Sequence, residues 1–239
     1  MRVLVIVQQT DAGPGVFDAV LAGSGHEIEE WRPDLSPGPS AAITEYDATL
    51  VFGGAMHVDQ EAGHPWLRAE KELLSELCAR EGPVLGVCLG AQLLAEAAGG
   101  SARLALTPEI GWHEVRLETA AATDPLLGLL PRRFAAFQWH SYEIEPPAGA
   151  AVLARSDCCL QAFRAGRRAW GVQFHAEVMA ATVTEWMAKD GEGKGGEPSA
   201  AGLDPEEISA ETARRAGASG RLGATLCRRF LALAERASA

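Results

Sequence analysis

The sequence predicts an α/β fold: a flavodoxin-like or Rossmann-like, mostly parallel central sheet with helices on both faces, additional antiparallel strands and a C-terminal helical extension. Two observations carry that prediction. Short apolar runs at Val3 to Val7, Ala48 to Phe52 and Pro83 to Val87 read as strands buried on both faces, and helical segments alternate with them. The middle of the chain instead holds successive strand-like segments joined by turns, which suits antiparallel additions to the same sheet.

The elements follow in order. Val3 to Val7 is the first buried strand. Gly13 to Gly15 form a turn before a short helix over Val16 to Leu21. His26 to Trp31 is a second strand, closed by a turn at Pro33, Pro37 and Pro39. Ala48 to Phe52 ends in Gly53-Gly54. Pro65 to Arg80 reads as a helix with Trp66, Leu67, Leu73, Leu74 and Leu77 on or near one face. Pro83 to Val87 is a strand, and the helix Leu89 to Ala98 stops at Gly99-Gly100. Strands are then expected at Trp112 to Leu117, Phe134 to Gln138, Ala151 to Arg155, Leu160 to Arg164 and Ala169 to Phe174.

A helix over Val178 to Lys189 precedes a stretch, 191–202, rich in Gly, Ser and Pro, which reads as a mobile loop. Asp204 can cap the next helix, Pro205 suits its first turn, and Glu207 stands at capping-box spacing. Leu222, Leu226, Phe230 and Leu233 form a stripe that should dock on the main domain. The organisation is therefore one domain over 1–190, a flexible loop over 191–202, and a helical extension over 203–239 packed on that domain. No internal repeat is visible.

Composition narrows the function. The 239 residues are 47% hydrophobic, enough for one large domain with its own core. The net charge of −11 without a basic stripe argues against nucleic acid as a partner. No apolar run reaches bilayer length, so no membrane association is expected, and the start of the chain lacks the features of a signal peptide. The five cysteines, Cys78, Cys88, Cys158, Cys159 and Cys227, are odd in number and unpatterned, which suggests reduced thiols in the cytoplasm.

Cys88 stands out because it lies where a buried strand turns into a helix. Gly86 and Gly90 remove side chains that would crowd such a bend, as in a nucleophile elbow. The helix N-terminus favours a thiolate, and the amide of Leu89 points toward a developing oxyanion. A buried structural cysteine is the bland alternative, and it is preferred for the other four. His175 ends an apolar strand, and Glu177, two residues on, can reach back to fix its tautomer. Alone, His-x-Glu would read as a core histidine beside a surface carboxylate. Its place at a strand end, like that of Cys88, favours chemistry, because open α/β sheets bind ligands there. Gly53-Gly54, also at a strand end, offers bare backbone to a substrate carbonyl, although an ordinary turn explains it equally well.

Taken together, these residues resemble the class I glutamine amidotransferases of the Cys-His-Glu type, in particular stand-alone proteins similar to the amidotransferase domain of GMP synthase. The family pattern Gly-x-Cys-x-Gly-x-Gln is matched by Gly86, Cys88, Gly90 and Gln92. Gln-Phe-His-Pro-Glu is matched by Gln173, Phe174, His175 and Glu177, and Gly53-Gly54 matches the oxyanion strand. The specific resemblance covers about residues 45 to 187.

The resemblance implies that Cys88 attacks the glutamine side-chain amide. His175 would protonate the leaving ammonia and then activate water, with Glu177 orienting it. The amides of Leu89 and Gly54 would hold the oxyanion, beside Gly53, and Gln92 would contact the bound glutamine. The segment Gln138-Trp139-His140-Ser141-Tyr142 matches the loop whose backbone grips the amino-acid end of the substrate, which makes Trp139, Ser141 and Tyr142 substrate-binding candidates. His140 would lie near the site without being the base. No cofactor is implied, and no Cys/His metal spacing is present.

The chain departs from the pattern in three ways. Ala176 replaces the usual proline, which should loosen the turn slightly. Met56-His57-Val58 follows the oxyanion glycines, so local substrate contacts should differ. No Gly-x-x-x-x-Gly-Lys-Ser/Thr phosphate loop and no ATP-using synthetase segment occur. Three readings stay open: a glutaminase that delivers ammonia to a separate synthetase partner, a hydrolase of other γ-glutamyl compounds, and a non-catalytic binding or regulatory subunit. Proteins of the third kind usually lose the Cys, His or acid, and all three are present here.

Overall fold

The computed structural model describes residues 1–191 and 203–238. Among these residues, nine strands form one sheet: β1 (Arg2–Ile6), β2 (Glu27–Trp31), β3 (Ala48–Val51), β4 (Val84–Val87), β5 (Ser101–Leu117), β6 (Arg133–Glu145), β7 (Ala151–Arg155), β8 (Leu160–Ala165) and β9 (Ala169–Val172). The spatial order is β2-β1-β3-β4-β9-β8-β7-β5-β6. The first five strands in that order pair in parallel, and the remaining pairings are antiparallel. The parallel half fits the expected α/β class. Every residue of β3, β4 and β9 is buried, as continuous apolar runs covered on both faces require.

Among the described residues, five α-helices cover the sheet: α1 (Phe17–Ala22), α2 (Trp66–Ala79), α3 (Leu89–Ala97), α4 (Ala180–Gly191) and α5 (Pro205–Ser238). Strand alternation sorts the core into two layers. Val3, Val5 and Val7 pack with Phe17 and Leu21 of α1 and with Leu226 and Phe230 of α5. Leu4 and Ile6 face the opposite way, onto Leu67, Leu74 and Leu77 of α2 and Leu93 and Leu94 of α3. Leu222 and Leu233 of α5 pack partly buried against the same layer, and Trp170 meets Phe230 edge-on at 6.3 Å. The Asp204 side chain accepts the Glu206 amide at 2.9 Å at the start of α5.

The largest differences from the sequence reading lie in β5 and β6. Both are much longer than the segments expected at Trp112 to Leu117 and Phe134 to Gln138. They run as an antiparallel ribbon whose register shifts between Leu104 and Glu109. Leu104 and Leu106 are exposed there and Thr107-Pro108 interrupts the alternation, so the extra strand carries no buried apolar pattern. Gly191 belongs to α4, whereas the rest of the loop expected over 191–202 lies outside the described residues.

Candidate active site

Three neighbouring strands of the parallel half deliver their carboxyl ends to one place. Gly53 follows β3, Cys88 follows β4, and His175 follows β9. This is the edge where α/β sheets of this kind bind ligands. A Cβ at Gly53 would stand 3.4 Å from Cys88 Cβ and 3.4 Å from His175 Cε1. Both side chains therefore converge on the bare face of Gly53, where a single Cβ would already touch each of them.

Cys88 caps α3 with φ 52° and ψ −113°. A non-glycine residue in that region costs about 1–3 kcal/mol, which the surrounding fold must sustain. The local sequence explains how. A Cβ at Gly86 would lie 2.5 Å from the Gly90 carbonyl oxygen, and one at Gly90 would overlap the Val51 carbonyl. Only glycine at both positions lets the chain fold back so sharply. The Cys88 amide donates to the Val172 carbonyl at 2.9 Å, tying the elbow to β9. The thiol lies at the N-terminus of α3, where unpaired amides and the helix dipole favour negative charge.

His175 Nδ1 is 2.7 Å from Glu177 Oε1, and both residues are buried. The carboxylate accepts, so Nδ1 carries the hydrogen and Nε2 faces the thiol side. Burial opposes charge on this ring. The Glu177 carboxylate and the Cys88 thiol outweigh it and push the imidazole up to about 10. The His175 amide donates to the Phe137 carbonyl at 2.9 Å, which joins β6 to the site. Among the other cysteines, burial pushes Cys78 up to about 11 and Cys227 up to about 12. Burial and the Glu109 charge also raise Cys158 and Cys159.

Leu89 begins α3 beside Cys88. Gly54 follows Gly53, packed against Gln8 and Leu89. The Trp139 carbonyl lies 3.9 Å from Cys88 Sγ, which brings the backbone of β6 to the nucleophile. Ser141 is buried with its hydroxyl unpaired. Tyr142 stacks on His57 with ring centroids 4.4 Å apart and donates its hydroxyl to Asp59 at 2.9 Å. The His57 segment, noted as a departure, thereby forms a wall beside β6. Gln92 is buried in α3, and its amide donates to Gln173 at 3.1 Å, so the structure joins it to the strand that carries His175.

Sequence reasoning missed two groups. Trp186 of α4 packs edge-on against His175 at 5.0 Å and belongs to an aromatic cluster with Phe137 and Trp139. Behind β6, Glu109, His140 and Cys159 bring three potential ligand atoms within 4.8 Å of one another. Cys, His and Glu are donors that zinc accepts. Here they converge on a single carboxylate oxygen, Glu109 Oε2, which already accepts hydrogen bonds from Ser156, Cys159 and Gln161 at 3.0, 3.1 and 2.7 Å. Glu109 Oε2 is thus the hub of a hydrogen-bond network, and His140 Nε2 beside it has no hydrogen-bond partner. No spacing signal reveals it, because its members come from β5, β6, β8 and the β7–β8 turn.

Comparison with known proteins assigns the chain to a family. Residues 22–191 fit the family described as glutamine amidotransferase class-I. The chain belongs to that family. It is 33% identical over 159 residues to a glutamine-hydrolyzing GMP synthase subunit from Saccharolobus solfataricus, covering 64% of this chain and 78% of the relative. It is 30% identical over 174 residues to a gamma-glutamyl-L-1-hydroxyisopropylamide hydrolase from a Pseudomonas species, covering 68% of this chain and 58% of that one. A crystal structure of a glutamine amidotransferase from Thermotoga maritima superposes with a TM-score of 0.84 at 27% identity, covering 96% of this chain and 97% of that chain. Among the described residues no helix is long and apolar enough to cross a membrane.

Proposed function

We propose that this family member hydrolyses the side-chain amide of glutamine to glutamate and ammonia through a thioester on Cys88. The observation that carries the reading is the convergence of Cys88, at its positive-φ elbow, and the Glu177-bonded His175 on the bare backbone of Gly53. The Cys88 thiolate attacks the amide carbon. The amides of Leu89 and Gly54 receive the charge that develops on oxygen. His175, protonated at Nε2 and held by Glu177, gives that proton to the leaving nitrogen, and ammonia departs. His175 then takes a proton from water, which attacks the thioester and frees glutamate and the thiol. Trp139, Ser141 and Tyr142 grip the amino-acid end, and Gln92 acts from the side of Gln173.

Residues 1–190 form the amidotransferase domain in this reading, and 203–239 a helical extension of the same domain. The five thiols suit a reducing compartment such as the cytoplasm. The likeness to the GMP synthase relative supports a separate synthetase as the acceptor of ammonia. The likeness to a γ-glutamyl amide hydrolase supports a second substrate class, because the acyl group is the same and only the leaving amine differs.

Glutamate release from glutamine and from a panel of γ-glutamyl amides and dipeptides, with Cys88→Ala as the blank, tests the reading. Release chiefly from glutamine supports it. Release chiefly from γ-glutamyl amides replaces it with the hydrolase. Release that persists in Cys88→Ala overturns both.

A further inference from the structure

We propose that Glu109 is a positioning residue that, paired with a doubly protonated His140, holds residues 139–142 of β6 against the Cys88 thiol. The inference deepens the amidotransferase reading above and rests on it for the identity of the substrate.

The geometry dictates the protonation. His140 Nδ1 lies 2.9 Å from the Tyr142 carbonyl oxygen. A carbonyl only accepts, so Nδ1 bears a hydrogen. Nε2 is buried, has no hydrogen-bond partner, and lies 3.4 Å from Glu109 Oε2. A lone pair on Nε2 would face the lone pairs of a carboxylate in a site shielded from water. A second N–H there turns repulsion into an ion pair. Both residues are 2% or less exposed, so neither charge has water to fall back on.

The groups that face this pair agree. Gln161, Ser156 and Cys159 all donate to Glu109 Oε2, and Gln138 donates to Gln161 Oε1 at 2.8 Å. The other ionisable neighbours are His113, whose Nδ1 lies 3.8 Å from Glu109 Oε1, and Cys158. Burial alone would raise the Glu109 carboxyl. The bonds from His140 and Cys159, and the His140 charge, hold it down at about 2. Glu109 and His140 also stand opposite each other where the β5–β6 ladder resumes after its bulge, so the pair pins that register.

The consequence reaches the site through backbone. Trp139, whose carbonyl lies beside Cys88 Sγ, immediately precedes His140, and the Tyr142 carbonyl is the other partner of the same ring. The strand is therefore fixed at 140 and 142, next to the carbonyl that meets the thiol. A displacement of even an ångström would misplace the substrate-facing backbone while leaving the elbow and His175 untouched.

Glu109→Gln keeps the shape and breaks the hub. An amide oxygen at the Oε2 position leaves Nε2 without an ion pair, and an amide nitrogen there faces three donors. Two measurements test the proposal. Nitrogen-15 spectra of the wild-type protein should give His140 two protonated ring nitrogens at neutral pH, a state lost in Glu109→Gln. Alkylation of Cys88 by a glutamine-shaped diazoketone should slow by about tenfold or more in Glu109→Gln, while alkylation by iodoacetamide, which needs no grip, stays within about twofold. A neutral or metal-ligated His140 ring in the wild type overturns the proposal without any variant. So does an equal loss, or no loss, with both reagents. If the wild type itself shows no preference for the diazoketone, the glutamine reading fails, and the nitrogen-15 result still decides the ion pair.

Discussion

Trp186 lays the edge of its ring against the imidazole of His175, with centroids 5.0 Å apart and planes at 71°. Its indole nitrogen donates to the Asp11 carbonyl at 2.9 Å, and Lys189, one turn further along α4, pairs with the Asp11 carboxylate at 2.5 Å. α4 is thus clamped to the loop after β1, and the clamp closes on one side of the His175 ring. Trp186→Ala should lower kcat/KM by about tenfold, through a looser imidazole and water at the site. Trp186→Phe keeps the edge contact and loses only the indole bond, so its loss should stay within about threefold. Steady-state glutamate release for the two variants checks the ordering. Equal losses would remove the ring contact as the cause.

Glu177→Gln tests the orienting carboxylate separately from the nucleophile. The carboxylate is one of the charges that lift His175 to about 10, so its removal lowers the imidazole. The thiolate–imidazolium pair then survives over a narrower range, and the basic limb of the pH profile of kcat/KM moves to lower pH. Turnover should drop by about 10²–10⁴-fold with substrate binding mostly kept. Cys88→Ala should abolish turnover and keep the fold. An unchanged basic limb in Glu177→Gln would separate this carboxylate from the base.

In the parallel half, β1, β3, β4 and β9 were legible because they are short apolar runs with no competing pattern. The elbow was legible because glycine, cysteine and glycine at alternate positions have few other uses. Glu70 shows where legibility ends. It lies three residues after Leu67 and four before Leu74, on the buried face of α2, yet a carboxylate reads as a surface residue. The periodicity already pointed inward, and only the chemistry argued otherwise. Glu109 was hidden for a different reason. The residues that satisfy it are about 50 positions away in sequence, and local pattern does not register such pairings. Trp186 lies within the helix expected over Val178 to Lys189, and its contact with His175 depends on how α4 crosses the site.

The C-terminal helix should be part of one cooperative unit with the sheet. Phe230 is fully buried and meets Trp170 of β9, the strand that leads to His175. Phe230→Ala removes that ring from a core in which Leu226, Cys227 and Leu231 leave little room to collapse. The expected cost is about 3–5 kcal/mol, seen as a lower denaturant midpoint in a single transition. Two separated transitions, with the first silent in the near-ultraviolet signal of Trp170, would make the helix an appendage.

Glu70 carries the last prediction. It is wholly buried, and both of its oxygens lie within 2.6 Å of the side-chain nitrogen of Gln8, which packs beneath Gly54. Burial raises its carboxyl to about 7, and the Gln8 bond only partly opposes this. The native state therefore keeps a proton that the unfolded chain releases near pH 4.5. Stability falls as pH rises from there and levels off above about 7, and the full loss corresponds to about 3 kcal/mol. Glu70→Gln has no proton to lose. The Gln8 oxygen, buried and unpaired in the wild type, can turn to accept from the new amide. Urea midpoints of the two proteins should converge near pH 4.5, and the variant should gain on the wild type up to about pH 7 and hold that margin at pH 8. Parallel curves across that range would mean that Glu70 is ionised throughout and that the Gln8 amide alone stabilises it.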